Sequence, residues 1–180
     1  LAYLPNRTSI DLRFTAIGNN EDELKLSVQE LIDKFKLIAG EYLVSENSGK
    51  PQKIIGENLK YRGLTISTAE SCTGGNIATL LTNVEGSSMY FYGSVVSYAT
   101  AVKTSVLGVR PEIIQEFTVV SEQVAEQMAK GACKVLNTDI AIATTGVAGP
   151  SKGEDGKEVG TVWISVSNGI KTINKKYFYP

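Results

Sequence analysis

The stretch 65-TISTAESCTGGNIATLL-81 turns from a strand-type run into a helix-type run within a few residues. Ser71, Cys72, Thr73, Gly74 and Gly75 stand at the joint. A strand that feeds a helix this abruptly is the building unit of an α/β protein. The same joint gathers two hydroxyls, a thiol and backbone N–H groups where α/β proteins place ligands.

The rest of the chain fits that class. Upstream, 10-IDLRFTAI-17 alternates, with Ile10, Leu12, Phe14 and Ala16 on one face of a half-buried strand. Residues 19–40 carry a helical stripe of Leu24, Val28, Leu31, Ile32 and Phe35. Asn20 can cap that helix, Glu23 follows three residues on, and Gly40 can close it. The run 41-EYLVS-45 is expected to form a second strand, giving a small β-α-β module over residues 1–48. That module holds 5 basic and 8 acidic residues, a balance of −3, whereas residues 49–180 hold 13 and 11, a balance of +2. The segment 46-ENSGKP-51 links the two.

In the larger unit, residues 51–63 read as a helix that opens on Pro51 and buries Ile54, Ile55 and Leu59. A strand is predicted at 64–68, a helix at 73–84 and a strand at 94–99. Ser121 caps a long helix with Val124, Ala125, Met128, Ala132, Val135 and Leu136 inward. A buried strand at 139–145 leads into the glycine-rich loop 146-GVAGPSKGEDGKEVG-160. Strands at 161–167 and 170–178 are joined by Asn168-Gly169, a strong hairpin signal. The expected fold is an α/β sandwich on a mixed sheet.

Composition removes several kinds of chemistry. The chain of 180 residues has no histidine, which excludes Ser-His-Asp and Cys-His mechanisms and histidine-based zinc sites. A proton carrier must be Lys, Tyr, Asp, Glu, Cys or water. A net charge of −1 supplies no general field for nucleic acid or an anionic membrane, and neither signal peptide nor membrane span is expected. Two cysteines, Cys72 and Cys133, suggest a reducing, cytoplasmic setting rather than a disulfide framework. The chain opens on Leu1, as a piece of a longer protein would.

Three strand ends carry the candidate chemistry. Ser71 at its turn has the placement of a nucleophile elbow, and Gly74 and Gly75 let the backbone approach a bound group. The same small residues would also serve simple capping. In 94-SVVSYATAVK-103, Tyr98 is expected to end a strand and Lys103 to follow on a helix start. A partly buried lysine beside a serine hydroxyl can act as base without histidine, although an exposed lysine and an edge tyrosine would read alike. In 144-TTGVAGP-150, Thr145 offers a hydroxyl, and the loop with Gly146 and Gly149 offers N–H donors. Its plainer reading is an ordinary long turn. Glu70 reads equally as a catalytic carboxylate or as a helix-entry residue that orders the turn. Cys72 is the rival nucleophile, but adjacent side chains at a turn point apart.

Together, 68-TAESCTGG-75, 86-GSSMYFYGSVVSYATAVK-103, 107-LGV-109, 120-VSE-122, 145-TGVAGP-150 and 159-VGTVW-163 resemble the C-terminal, nicotinamide-nucleotide amidase domain of the CinA (competence/damage-inducible) family. The resemblance covers roughly residues 50 to 178, and residues 2 to about 45 resemble the small KH-like module that precedes that domain. It implies a domain over 49–180 that hydrolyses the carboxamide of nicotinamide mononucleotide to nicotinic acid mononucleotide and ammonia, with no cofactor and no metal. It makes Ser71 the nucleophile, Lys103 the base, and Tyr98 and Thr145 supporting polar positions. Glu70, Thr73, Gly74, Gly75, Gly146 and Gly149 would surround the substrate. A pyridine mononucleotide is the expected partner, in a homodimer away from membranes. RNA is not expected, since residues 1–48 are acidic and lack a Gly-x-x-Gly loop.

Two features depart from the family pattern. Ala99 and Thr100 stand where Ser-Asn is common. The Gly-Asp-Arg motif and last helix expected after the final strand do not precede Pro180. Both leave open a nucleotide-binding module with weak or no turnover.

Overall fold

The computed structural model describes residues 1–5, 10–43, 50–153 and 156–179. They divide into two compact units, Leu1–Pro51 and Gln52–Pro180. In the first, β1 (Ala2–Pro5) and β2 (Ile10–Arg13) pair antiparallel, with Tyr3 opposite Leu12. Helix α1 (Glu21–Ala39) begins as its sequence dictates. The Asn20 side chain accepts from the amides of Asp22 and Glu23 and donates to the Glu23 carboxylate at 2.9 Å, satisfying orphan donors of the first turn. Gly40 ends the helix at φ 50°, its N–H donating to the Lys36 carbonyl. Phe14 meets Phe35 edge-on at 6.0 Å, yet Leu31 of the expected stripe is half exposed.

The order here is β-β-α among the described residues. The strand expected at 41–45 does not form over its described part: a 3-10 turn covers Gly40–Tyr42. The left-handed backbone of Gly40 coils the chain on instead of releasing it extended. Val44 and Ser45 lie outside the described residues.

The second unit is built on a mixed sheet in the order β4-β3-β5-β6-β7. Strands β3 (Ile66–Glu70), β4 (Phe91–Val96) and β5 (Ile140–Gly146) run parallel, and β6 (Thr161–Ser167) and β7 (Thr172–Phe178) add antiparallel. Alternation along β3 and β5 divides the core. Ala69, Ala141 and Ala143 meet Val124, Met128, Ala129 and Ala132 of α6 (Glu122–Leu136), with Leu107 and Val109. Their small side chains let α6 lie close to the sheet. On the other face Ile66, Ile140 and Ile142 meet Leu59 of α2 (Pro51–Arg62), Leu81 of α3 (Asn76–Thr82), and Tyr90. With both faces covered, β3 is buried along its whole length. No helix among the described residues is long and apolar enough to cross a membrane.

Several boundaries differ from the sequence reading. Strand β3 starts two residues late because the amide and hydroxyl of Thr65 are held by Asp139 Oδ2 at 2.8 and 2.7 Å. Strand β4 spans 91–96 rather than 94–99, so Tyr98 lies beyond it. Helix α4 (Thr100–Ser105) carries Lys103, and α5 (Pro111–Phe117), not anticipated, opens on its own proline. Ile55 and Val135 are exposed at 40% and 49%, contrary to expectation. In α2 the buried position beside Leu59 belongs to Gly56, which the apolar pattern could not reveal. The last hairpin closes through four residues, the Asn168 amide donating to the Lys171 carbonyl while Gly169 adopts φ 83°.

Gly56 is glycine because a Cβ there would stand 2.5 Å from the Tyr90 hydroxyl. That hydroxyl is buried and, among the described residues, has no hydrogen-bond partner. Leaving such a group unsatisfied costs about 1–3 kcal/mol. Tyr90→Phe is therefore expected to stabilise the fold by about 1 kcal/mol, read as a higher urea midpoint at unchanged slope. A lower midpoint would mean that the hydroxyl does have a partner.

Candidate active site

The site forms where β3 and β4 end side by side. Residues 97–99 carry the chain from β4 into α4, and this short turn brings Lys103 back beneath its own connection. Lys103 is 2% exposed, and its Nζ has three neighbours: Ser97 O at 2.6 Å, Tyr98 O at 3.3 Å and Ser71 Oγ at 3.0 Å. Two of these are carbonyls, which can only accept. A neutral amine in this cradle spends both N–H bonds on the carbonyls and turns its one lone pair toward the Ser71 hydroxyl. An ammonium in the same cradle would donate to all three, so it is the neutral amine that can take the Ser71 proton.

Electrostatics favour that neutral form. Burial pulls the Lys103 amine below its ordinary 10.5, with only the Cys72 thiol acting in the other direction. No carboxylate among the described residues forms an ion pair with it. The thiol of Cys72 is pushed up from 9.0, chiefly by burial, against hydrogen bonds from its own amide and Thr144. That disfavours the thiolate, the form in which cysteine attacks.

Ser71 is the first residue after β3, its amide donating to Thr144 O at 3.1 Å. The turn that follows winds through Gly74 and Gly75 at φ 57° and 94°, a conformation open to glycine. Their N–H groups are already engaged: Gly74 donates to Ser71 O and Gly75 to Glu70 Oε2. The amides of Cys72 and Thr73 are the two in this turn that donate to no other residue among those described. The amides of this turn that are open to a bound group thus precede the two glycines.

The remaining predicted positions are placed variously. Tyr98 meets Lys103 through its carbonyl, while its side chain is 78% exposed. The Thr145 hydroxyl is not part of the Ser71–Lys103 network; it donates to Val119 O at 2.7 Å. Thr73 shares a 2.8 Å hydrogen bond with Thr144. Gly146 packs against β6, where a Cβ would come within 2.7 Å of Thr161 O, and Gly149 packs against Val159. The carboxylate of Glu70 is turned away from Lys103, onto the start of α3. Ser97 and Thr144 escaped the sequence reading. The first contributes a carbonyl, which every residue has. The second sits one place before the threonine that the motif singled out.

A family model described as the CinA C-terminal domain matches residues 49–180, and the chain belongs to that family. A CinA-like protein of Flavobacterium psychrophilum is 47% identical over 98% of this chain and 43% of its own length. Another, from Chloroherpeton thalassium, is 42% identical over 98% and 42%. The chain thus spans about two fifths of the length of these curated relatives. Among solved structures, the competence damage-inducible protein A of Klebsiella pneumoniae is similar at 36% identity and a TM-score of 0.70, over 72% of this chain and 80% of that one. The competence/damage inducible protein CihA of Agrobacterium tumefaciens is similar at 38% identity and a TM-score of 0.69, over 72% and 79%.

Proposed function

We propose that Ser71 and Lys103 hydrolyse the carboxamide of nicotinamide mononucleotide, giving nicotinic acid mononucleotide and ammonia. The observation that carries this reading is the lysine cradle, which leaves a buried amine one partner able to give it a proton. Ser71 Oγ bonds to the carboxamide carbon as its proton passes to Lys103 Nζ. The resulting oxyanion lies toward the amides of Cys72 and Thr73. Collapse breaks the C–N bond, and Lys103 returns the proton to the departing nitrogen, which leaves as ammonia. Water then attacks the Ser71 ester, giving a proton to Lys103; the bond between the acyl carbon and Ser71 Oγ breaks, Lys103 returns the proton to Oγ, and the free acid departs. The pyridine mononucleotide as substrate comes from the family resemblance, and we extend the same resemblance to residues 1–48 as a KH-like module.

Ammonia release from nicotinamide mononucleotide tests the reading. Ser71→Ala is expected to reduce it to background. Chelator should not affect the wild type, and free nicotinamide should not be turned over. A protein that binds the nucleotide tightly but releases no ammonia would be a binding module instead.

A further inference from the structure

Glu70 is fully buried in the last position of β3, immediately before the proposed nucleophile. Alternation sends its side chain to the α3 side of the sheet, away from Lys103. There Oε2 accepts from the amides of Gly75 and Ile77, each at 3.0 Å. Oε1 accepts from the amide of Ala78 at 2.8 Å, and the Thr68 hydroxyl, whose one proton is shared between Oε1 at 3.2 Å and Ser94 Oγ at 2.7 Å, stands beside it. A carboxylate offers about four acceptor sites, and three amides with the Thr68 hydroxyl surround these oxygens inside the fold. The side chain closes residues 70–78 into a ring whose free arc is the turn bearing Ser71. The Glu70 backbone ties the other half of the site. Its carbonyl accepts from the Ser97 amide at 2.8 Å, and the Ser97 carbonyl in turn holds Lys103.

We propose that Glu70 is a positioning residue: its carboxylate fixes the Ser71 turn, and its carbonyl anchors the segment that cradles Lys103. The proposal rests on the Ser71–Lys103 reading above. It replaces the substrate contact expected of Glu70 from the sequence, and it gives the positive end of α3 to an internal carboxylate rather than to a ligand.

Glu70→Gln tests it. Turned one way its NH2 opposes the amides of Gly75 and Ile77; turned the other it opposes the Ala78 amide while the Thr68 hydroxyl can accept from it, so at least one of the three amide tethers is lost either way. A displaced nucleophile costs on the order of 10²-fold. The expected result is a fall of about that size in kcat for ammonia release, with KM within about twofold and the acidic limb of the pH profile unmoved. Amide exchange at Gly75, Ile77 and Ala78 should quicken in the same variant. A raised KM with kcat intact would make Glu70 a substrate contact, a lost or shifted limb would make it a proton carrier, and no change would remove it from the site. Each overturns the proposal. Thr68→Val, which removes one donor and keeps the carboxylate, should show the same pattern more weakly, and it decides if Glu70→Gln does not fold. Acetylation of Ser71 by p-nitrophenyl acetate, followed by mass, separates the two readings. A wild type that is acetylated there but releases no ammonia would end the nucleotide amidase reading. The acetylation rates of the variants would still decide the role of Glu70, slower rates supporting it and unchanged rates overturning it.

Discussion

Lys103→Met is expected to lower ammonia release by about 10²–10⁴-fold, the usual contribution of a positioned base, while the chain stays folded. Methionine matches the apolar stem of lysine but offers no basic nitrogen near Ser71 Oγ. The pH behaviour makes the prediction specific. Burial holds the folded Lys103 amine below its ordinary 10.5, and in the proposed mechanism the neutral form is the base. Wild-type kcat/KM should therefore rise with pH through the folded value and level off above it. Lys103→Met should lose that limb together with its rate. Stability follows the same shift with a definite sign. Between the depressed folded value and the ordinary unfolded one, the unfolded chain binds more protons, so stability increases as pH rises across that window. Below it both states are protonated and the cost of burying the charge is fully present. Urea midpoints over a pH series should climb in the wild type and flatten in Lys103→Met. A variant that keeps the limb would place the base elsewhere.

Local chemistry made some parts of the molecule readable in the sequence. The ends of α1 follow from Asn20 and Gly40, the start of α6 from Ser121, and the β6–β7 hairpin from Asn168-Gly169, because each signal lies within a few residues of its effect. The start of β3 could not be read that way. It depends on Thr65 meeting Asp139 across 74 residues of chain. The site shows the same division. Ser71 and Lys103 stand out as residue types in a chain without histidine, whereas the Lys103 cradle is made from carbonyls, which carry no sequence signature. Tyr98 drew attention for its ring and contacts Lys103 through its backbone. Thr145 drew attention for its hydroxyl, which is used on Val119. Glu70 lay open to two readings because the amides it binds are five to eight residues further on.

Gly131 gave no sequence signal at all, and its replacement should have the largest effect on stability. It lies in α6, where alanine ordinarily improves a helix by about 1 kcal/mol. Here a Cβ would stand 2.0 Å from Leu107 O and 2.8 Å from the Leu107 carbonyl carbon. Both are backbone atoms, so no side chain can rotate away. Relief requires α6 to move off the connection between α4 and α5. That separates Leu107 and Val109 from Val124, Met128 and Ala132, the packing that covers one face of the sheet. Overpacking typically costs about 1–3 kcal/mol even where side chains can yield. Gly131→Ala is accordingly expected to destabilise by about 3 kcal/mol or more, a large share of the roughly 5–15 kcal/mol that holds a domain together. The disturbance should reach the site as well. The Val109 amide donates to the carbonyl of Lys103 at 3.0 Å, so the displaced connection pulls directly on the helix that carries Lys103. Urea unfolding measures the first effect, and ammonia release per folded molecule measures the second. A Gly131→Ala protein within about 1 kcal/mol of wild type would mean that the helix and the connection are not in contact there.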